Sequence, residues 1–83
     1  MKPARTWERI VAGSRDIRFR DFEQLLRAFG FELDRQSGSH RIYRHPKLRV
    51  RMNIQPEGGK TKLYQIRQLL ELVETYGLRL GNE

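Results

Sequence analysis

The feature that most constrains the fold is a change of hydrophobic period at Gly30. Phe19, Phe22, Leu25, Leu26 and Phe29 fall at i, i+3 and i+4, which is one stripe of a helix, with Arg20, Asp21, Glu23, Gln24 and Arg27 on the other side. The spacing predicts a helix from about Arg20 to Phe29, with Asp21 and Glu23 near its positive end and Gly30 as its stop. From Phe31 the period becomes two. Phe31 and Leu33 alternate with Glu32 and Asp34, the pattern of a half-buried strand.

A helix followed directly by strands needs turns to fold the strands back. Ser37-Gly38 predicts the first, leading to a second strand from about Ser39 to Arg44. His45-Pro46-Lys47-Leu48 predicts the next, because proline presets the bend and cannot donate to a ladder. A third strand follows from about Arg49 to Ile54, with Val50, Met52 and Ile54 on one face and Arg49, Arg51 and Asn53 on the other. Gln55 to Lys62 carries Pro56, Gly58 and Gly59 and reads as a loop. The last helix starts near Leu63, places Ile66, Leu69, Leu70 and Val73 on one stripe, and stops at Gly77. Leu78 and Leu80 are expected to tuck back onto the core, and residues 81–83 to fray.

Ahead of these elements, Ala4, Trp7, Ile10 and Val11 lie at helical spacing between Pro3 and Gly13. So short a helix is marginal alone, so its apolar face must dock, most simply on the chain's own core. The reading is one α+β domain over residues 1–83: a helical extension and connector over 1–18, and a core over 19–80. A three-stranded antiparallel sheet carries helices on one face and leaves the other open. With Ile42 turned inward, Arg41 and Tyr43 point to the open face, and His40 sits at the rim where helices meet sheet, partly shielded from water.

Composition narrows the chemistry. The 83 residues include no cysteine, which excludes disulfides and cysteine-based zinc sites. No apolar run approaches the roughly 20 residues that cross a bilayer, and the basic start leads into Trp7-Glu8-Arg9-Ile10 rather than an export segment, so no membrane role and a cytoplasmic setting are expected. The net charge is +7, and six of the 17 Lys and Arg lie between Arg35 and Arg51, a stretch with no acid. Such a field calls for an anionic partner, nucleic acid above all, and rings interleaved with guanidinium groups can stack on bases and grip phosphates. The bland alternative, a solvated surface, is weakened by Tyr43, His40 and His45 within the run.

His40 is the candidate for chemistry. Histidine exchanges protons near neutral pH, Gly38 lets backbone approach a ligand closely, and cations flank the site. RNA carries its own nucleophile, so a base that takes the 2′-hydroxyl proton beside cations that stabilise the phosphorane suffices for cleavage. The products are a 2′,3′-cyclic phosphate and a 5′-hydroxyl end. Gly38, Ser39, Arg41, Tyr43, Arg44, Lys47, Arg49 and Arg51 are candidate RNA contacts, joined by Lys60 and Lys62 from the Gly-rich loop. No His-rich or paired-carboxylate spacing marks a divalent site, so neither metal nor other cofactor is expected. Gly58-Gly59-Lys60-Thr61 lacks the earlier glycine of a phosphate loop, and Ser37 and Ser39 read as turn residues. The alternative function is a non-catalytic RNA-binding module using the basic hairpin Arg35 to Arg51.

Leu25-Leu26-Arg27-Ala28-Phe29-Gly30-Phe31 followed by Gly38-Ser39-His40-Arg41-Ile42-Tyr43-Arg44-His45-Pro46, a third strand, a Gly/Lys loop and a helix resembles the HicA family of bacterial toxins over roughly Arg20 to Gly77. The resemblance implies a fold like a double-stranded-RNA-binding domain, α-β-β-β-α, here with an extra N-terminal helix. It further implies an mRNA interferase whose catalytic histidine corresponds to His40. A HicB-type antitoxin that covers the active site and represses the operon is the implied partner, with oligomers forming only through that complex. Two departures stand out. The helix from Pro3 to Ala12 lies outside the usual short toxin, and Gln55-Pro56-Glu57-Gly58 replaces the Pro-x-His of many relatives, leaving His45, beside Pro46, as the only other histidine.

Overall fold

In the computed structural model, residues 1–81 are described; Asn82 and Glu83, part of the end expected to fray, lie outside the described residues. Helix α1 (Pro3–Val11) and helix α2 (Phe19–Ala28) form where the apolar stripes place them. All five stripe residues of α2, Phe19 through Phe29, are buried. On α1 the docked face is shifted from the expected one: Thr6 and Ile10 are buried and Trp7 meets the edge of Phe29 at 4.9 Å, while Val11 is 62% exposed. Thr6 can be buried because its hydroxyl bonds back to the Lys2 carbonyl at 3.4 Å, satisfying the polar atom within the helix itself.

The exit from α2 is set by Gly30. The Gly30 amide donates to the Arg27 carbonyl at 2.9 Å and the Phe31 amide to that of Leu26 at 3.0 Å, the paired bonds of a left-handed helix stop. Gly30 has a φ of +99°, and a Cβ there would stand 2.8 Å from His45 Nε2. Glycine is therefore demanded twice, by backbone conformation and by the imidazole laid against it.

Strands β1 (Glu32–Ser37), β2 (His40–Arg44) and β3 (Arg51–Ile54) form an antiparallel meander in sequence order. β3 starts two residues later than expected, but its alternation is as read: Met52 and Ile54 are buried, Arg51 and Asn53 exposed. β1 departs more. Phe31 is buried just before it, yet Leu33 is 40% exposed and every residue of the strand is open to solvent, with the register slipping between Leu33 and Arg35. A slip at an edge strand is tolerated because only one side of it is paired.

The segment from Gln55 to Lys62 is not a plain loop. Pro56–Glu57 (β4) and Lys60–Thr61 (β5) pair across Gly58 and Gly59, both at positive φ, as a two-residue hairpin turn requires. This hairpin captures the connector before α2: the Thr61 amide donates to the Ile17 carbonyl and the Phe19 amide to the Gly59 carbonyl, both at 2.9 Å. Ile17, read as connector, is consequently core, 1% exposed.

Helix α3 (Leu63–Tyr76) ends at Gly77 as expected, and Leu78 and Leu80 pack onto the core. One apolar cluster unites Phe22, Leu25 and Leu26 of α2, Ile66 and Leu69 of α3, and Tyr43, Met52 and Ile54 of the sheet. The architecture is thus α+β, an α-β-β-β-α core with an added N-terminal helix.

Gly30→Ala is expected to lower stability by about 1–3 kcal/mol, from the positive φ and the approach to His45. Urea unfolding checks this, and adding His45→Ala should restore only the part owed to the contact.

Candidate active site

The face that each β2 residue presents follows from Tyr43. Tyr43 stands opposite Met52 across the β2–β3 ladder, and directly paired residues share a face, so a buried Met52 carries Tyr43 inward with it. Tyr43 is 0% exposed, and its hydroxyl donates to Glu23 Oε2 at 2.6 Å. The expected orientation of β2 is therefore reversed. Tyr43 and Arg41 face the helices, whereas His40, Ile42 and Arg44 face the open side. Tyr43 is a core residue with no ring surface left for a base to stack on.

Arg41 follows Tyr43 inward. It donates to Glu23 Oε1, and its guanidinium lies 5.5 Å from the centre of the Phe19 ring. Glu23, placed on the solvent side of α2 by the spacing, is only 6% exposed, because Arg41 and Tyr43 both bond to it. The hydrogen bond to Glu23 raises the Arg41 pKa further above its already high ordinary value. Burial first, and then the bond to the carboxylate, push the Tyr43 phenol well above its ordinary range. Sequence spacing could not show this triad, since its members lie 18 and 20 residues apart.

His40 opens β2 opposite Ser37 and is exposed rather than shielded at a rim. The alternation that takes Arg41 and Tyr43 inward turns the imidazole out to the open face. The turn before it holds Gly38 at φ +60°, with open space where a Cβ would lie. Ser39 is pinned instead, its hydroxyl accepting from Gln55 Nε2 at 3.1 Å. Among the described residues no side-chain bond or ion pair holds His40, and an exposed imidazole of that kind can meet a ligand from solvent. Arg35, counted in the basic run but not among the expected contacts, pairs with Ile42 and so shares the open face one diagonal from His40. Diagonal neighbours stand about 7–8 Å apart, within reach of a long side chain. Asn53, opposite Ile42 on the other flank, is exposed on the same face.

The remaining cations form a second group at the far end of β2, four residues or about 13 Å from His40. Arg44 pairs with Glu32 at 3.6 Å and Asp34 at 3.9 Å, and Arg51 with Asp34 at 3.1 Å. Lys47 and Arg49 are exposed on the adjoining loop, where Arg44, Arg49 and Arg51 line a cleft of about 310 Å³. His45 serves that loop: its Nδ1 accepts from the Lys47 amide at 3.2 Å and its ring meets the edge of Phe31. Lys60 is paired with Asp16, and Lys62 stands half-buried just before α3 without a side-chain bond to the helix start. Among the described residues no three His, Cys, Asp or Glu side chains gather as a metal site.

The same span of chain is picked out by comparison with known families. The family model described as HicA toxin of bacterial toxin-antitoxin matches residues 19–74, from the first residue of α2 almost to the end of α3. The chain belongs to the HicA toxin family. No curated protein and no solved structure matches it. As a HicA toxin it is one half of a toxin-antitoxin pair, and the match contains the Gly38 turn, His40, the Glu23 triad, Arg35 of β1 and the cations of β2, β3 and the loop between them. Helix α1 and the connector, residues 1–18, lie outside it. No helix among the described residues of this HicA toxin is long and apolar enough to cross a membrane.

The raised phenol of Tyr43 gives a pH signature. The folded state keeps a proton that the unfolded chain releases near the ordinary tyrosine value of about 10, so this contribution is complete below pH 10 and lost as pH rises above it. Stability should fall above pH 10 by up to about 1.4 kcal/mol per pH unit, and Tyr43→Phe should flatten that fall in chemical-denaturation curves taken across the alkaline range.

Proposed function

We propose that this toxin is a metal-independent endoribonuclease that cleaves mRNA with His40 as the proton-transfer residue. The observation that carries the reading is the solvent-facing imidazole of His40 at the mouth of β2, beside a glycine turn with open space and on one face with a cationic neighbour. In the reaction His40 takes the proton of a 2′-hydroxyl. The freed oxygen attacks the adjacent phosphorus, and the P–O bond to the 5′-oxygen of the next nucleotide breaks. The departing oxygen receives a proton, leaving a 2′,3′-cyclic phosphate and a 5′-hydroxyl.

Charge on the phosphorane needs a cation held nearby. Arg41 is held by Glu23 on the helix side, so Arg35 on the neighbouring strand is the better candidate for that contact. Arg44, Lys47, Arg49 and Arg51 then bind phosphates further along the strand, not the scissile one. Lys60 and Lys62 flank the same substrate beyond the β4–β5 hairpin. The toxin acts in the cytoplasm, and a HicB-type antitoxin masks the open face that carries His40, with oligomers arising through that complex.

Purified protein incubated with labelled single-stranded RNA in EDTA should cut the strand and leave cyclic-phosphate ends. His40→Ala should abolish cutting, a loss of at least 100-fold on the scale of general acid–base catalysis, while still binding the RNA. Binding without cleavage by the wild type would move the assignment to a non-catalytic RNA-binding module on the same basic hairpin. Arg35→Gln should slow cleavage more than Arg44→Gln.

A further inference from the structure

A second cleft lies away from His40, where the N-terminal extension meets the core. It encloses about 430 Å³ between α1, the connector, the first turns of α2 and β5. Arg9, Arg18, Arg20 and Lys60 line it, with Asp16 and Asp21 as the carboxylates among the described residues. Asp16 is paired with Lys60, which holds its carboxyl below the usual range, and Asp21 accepts from the Met1 ammonium at 3.2 Å. Arg9 is fixed by donating to the Asp16 carbonyl at 2.9 Å. Arg18 and Arg20 are left exposed, with no side-chain hydrogen bond or ion pair among the described residues, although the charge of Arg18 also acts on Asp16. The cleft thus keeps an excess of positive charge after every internal pair is made, and two guanidinium groups stand ready for an outside anion.

The cleft lies on the helix side and His40 on the open side of the sheet, and two short series of contacts link the two places. Arg18 and Arg20 flank Phe19, the Arg41 guanidinium lies 5.5 Å from the Phe19 ring centre, and Arg41 adjoins His40. On the other side, Lys60 belongs to the hairpin that begins beside Gln55, which bonds to Ser39. An RNA strand that contacts both His40 and the cleft has to round this end of the sheet.

Resting on the endoribonuclease reading, we infer that the cleft lined by Arg9, Arg18, Arg20 and Lys60 is a second phosphate site that holds the RNA backbone away from the scissile bond. The N-terminal helix, outside the family match, is then part of the substrate-binding surface: it supplies Arg9 and walls the cleft. Site recognition here is of phosphodiester charge, without base identity.

The test uses the full chain in a His40→Ala background, so that RNA is bound and not cut. Affinity for a long single-stranded oligoribonucleotide and for a trinucleotide is measured by fluorescence anisotropy across a salt series. Each single-strand phosphate neutralised adds about 0.7 to the slope of log K against log salt, so Arg18→Gln with Arg20→Gln should lower the long-strand slope by about 1.4. Trinucleotide affinity should hold. Arg67→Gln with Arg79→Gln removes equal charge from exposed positions on and after α3 and should leave the slope as it was. An unchanged slope in the Arg18/Arg20 variant, at an unchanged thermal midpoint, would overturn the cleft and leave the His40 reading standing. Equal losses in both double variants would also overturn it, since they mark general attraction. Wild-type NMR with inorganic phosphate separates the remaining source: saturable shifts at Arg18 and Arg20 with no change in the RNA slope of the variant would mean a site for the free anion and overturn the assignment to RNA. No RNA binding by the parent would overturn both readings.

Discussion

The interaction on which the molecule turns is the pair of hydrogen bonds received by Glu23. One carboxylate, nearly out of water, takes Tyr43 on one oxygen and Arg41 on the other. A buried carboxylate is stable only with such partners, and each partner needs it in return. The result ties α2 to the central strand at two positions and removes any choice of face for β2. Because side chains on a strand alternate, placing positions 41 and 43 inward places 40, 42 and 44 outward. The exposure of His40 is thus a consequence of contacts made on the opposite side of the sheet, a strand's thickness away.

The same architecture redistributes charge. In the sequence the cations from Arg35 to Arg51 have no acid among them. In the fold, Glu23 reaches Arg41 from a helix, while Glu32 and Asp34 of β1 reach Arg44 on the adjacent β2 and Asp34 also reaches Arg51 on β3. The exposed cross-strand pairs are worth little as stability, since water and salt screen them, but they lower the local field and hold the side chains in place. Among the described residues of this run, Arg35 on the sheet near His40 and Lys47 and Arg49 on the far loop have no ion pair. Arg18 and Arg20 add exposed positive charge beside the Lys60–Asp16 pair, and an antiparallel bridge joins Arg18 to Lys60 from some forty positions away in the chain.

Much of the architecture was legible because it is written in local terms. The α2 stripe, the change of period at Gly30, the Ser37-Gly38 turn and the helix ending at Gly77 each depend on neighbours within a few residues. Where the reading failed, the deciding contact was distant. Ile42 and Tyr43 are both apolar enough to face inward, and only the register with β3 and the partner on α2 select Tyr43. Gln55 to Lys62 reads as a loop, and the hairpin in it forms where the distant connector around Ile17 supplies a partner for β5. Val11 and Thr6 exchanged places on α1 for a similar reason: the docking face is set by Phe29, and a threonine that bonds its own helix can be buried.

The sequence by itself determined the α+β class, the order of the three helices and the three-stranded sheet, and the resemblance now met by the family match, and it singled out His40 as a candidate for proton transfer. These rest on periodicity, glycine conformation and side-chain chemistry, which are properties of short stretches. Only the tertiary structure decided which way His40 faces, which cations are already paired, and that the N-terminal extension walls a charged cleft. Those outcomes depend on cross-strand register and on a buried carboxylate choosing its partners, and neither is a property of any single stretch of chain.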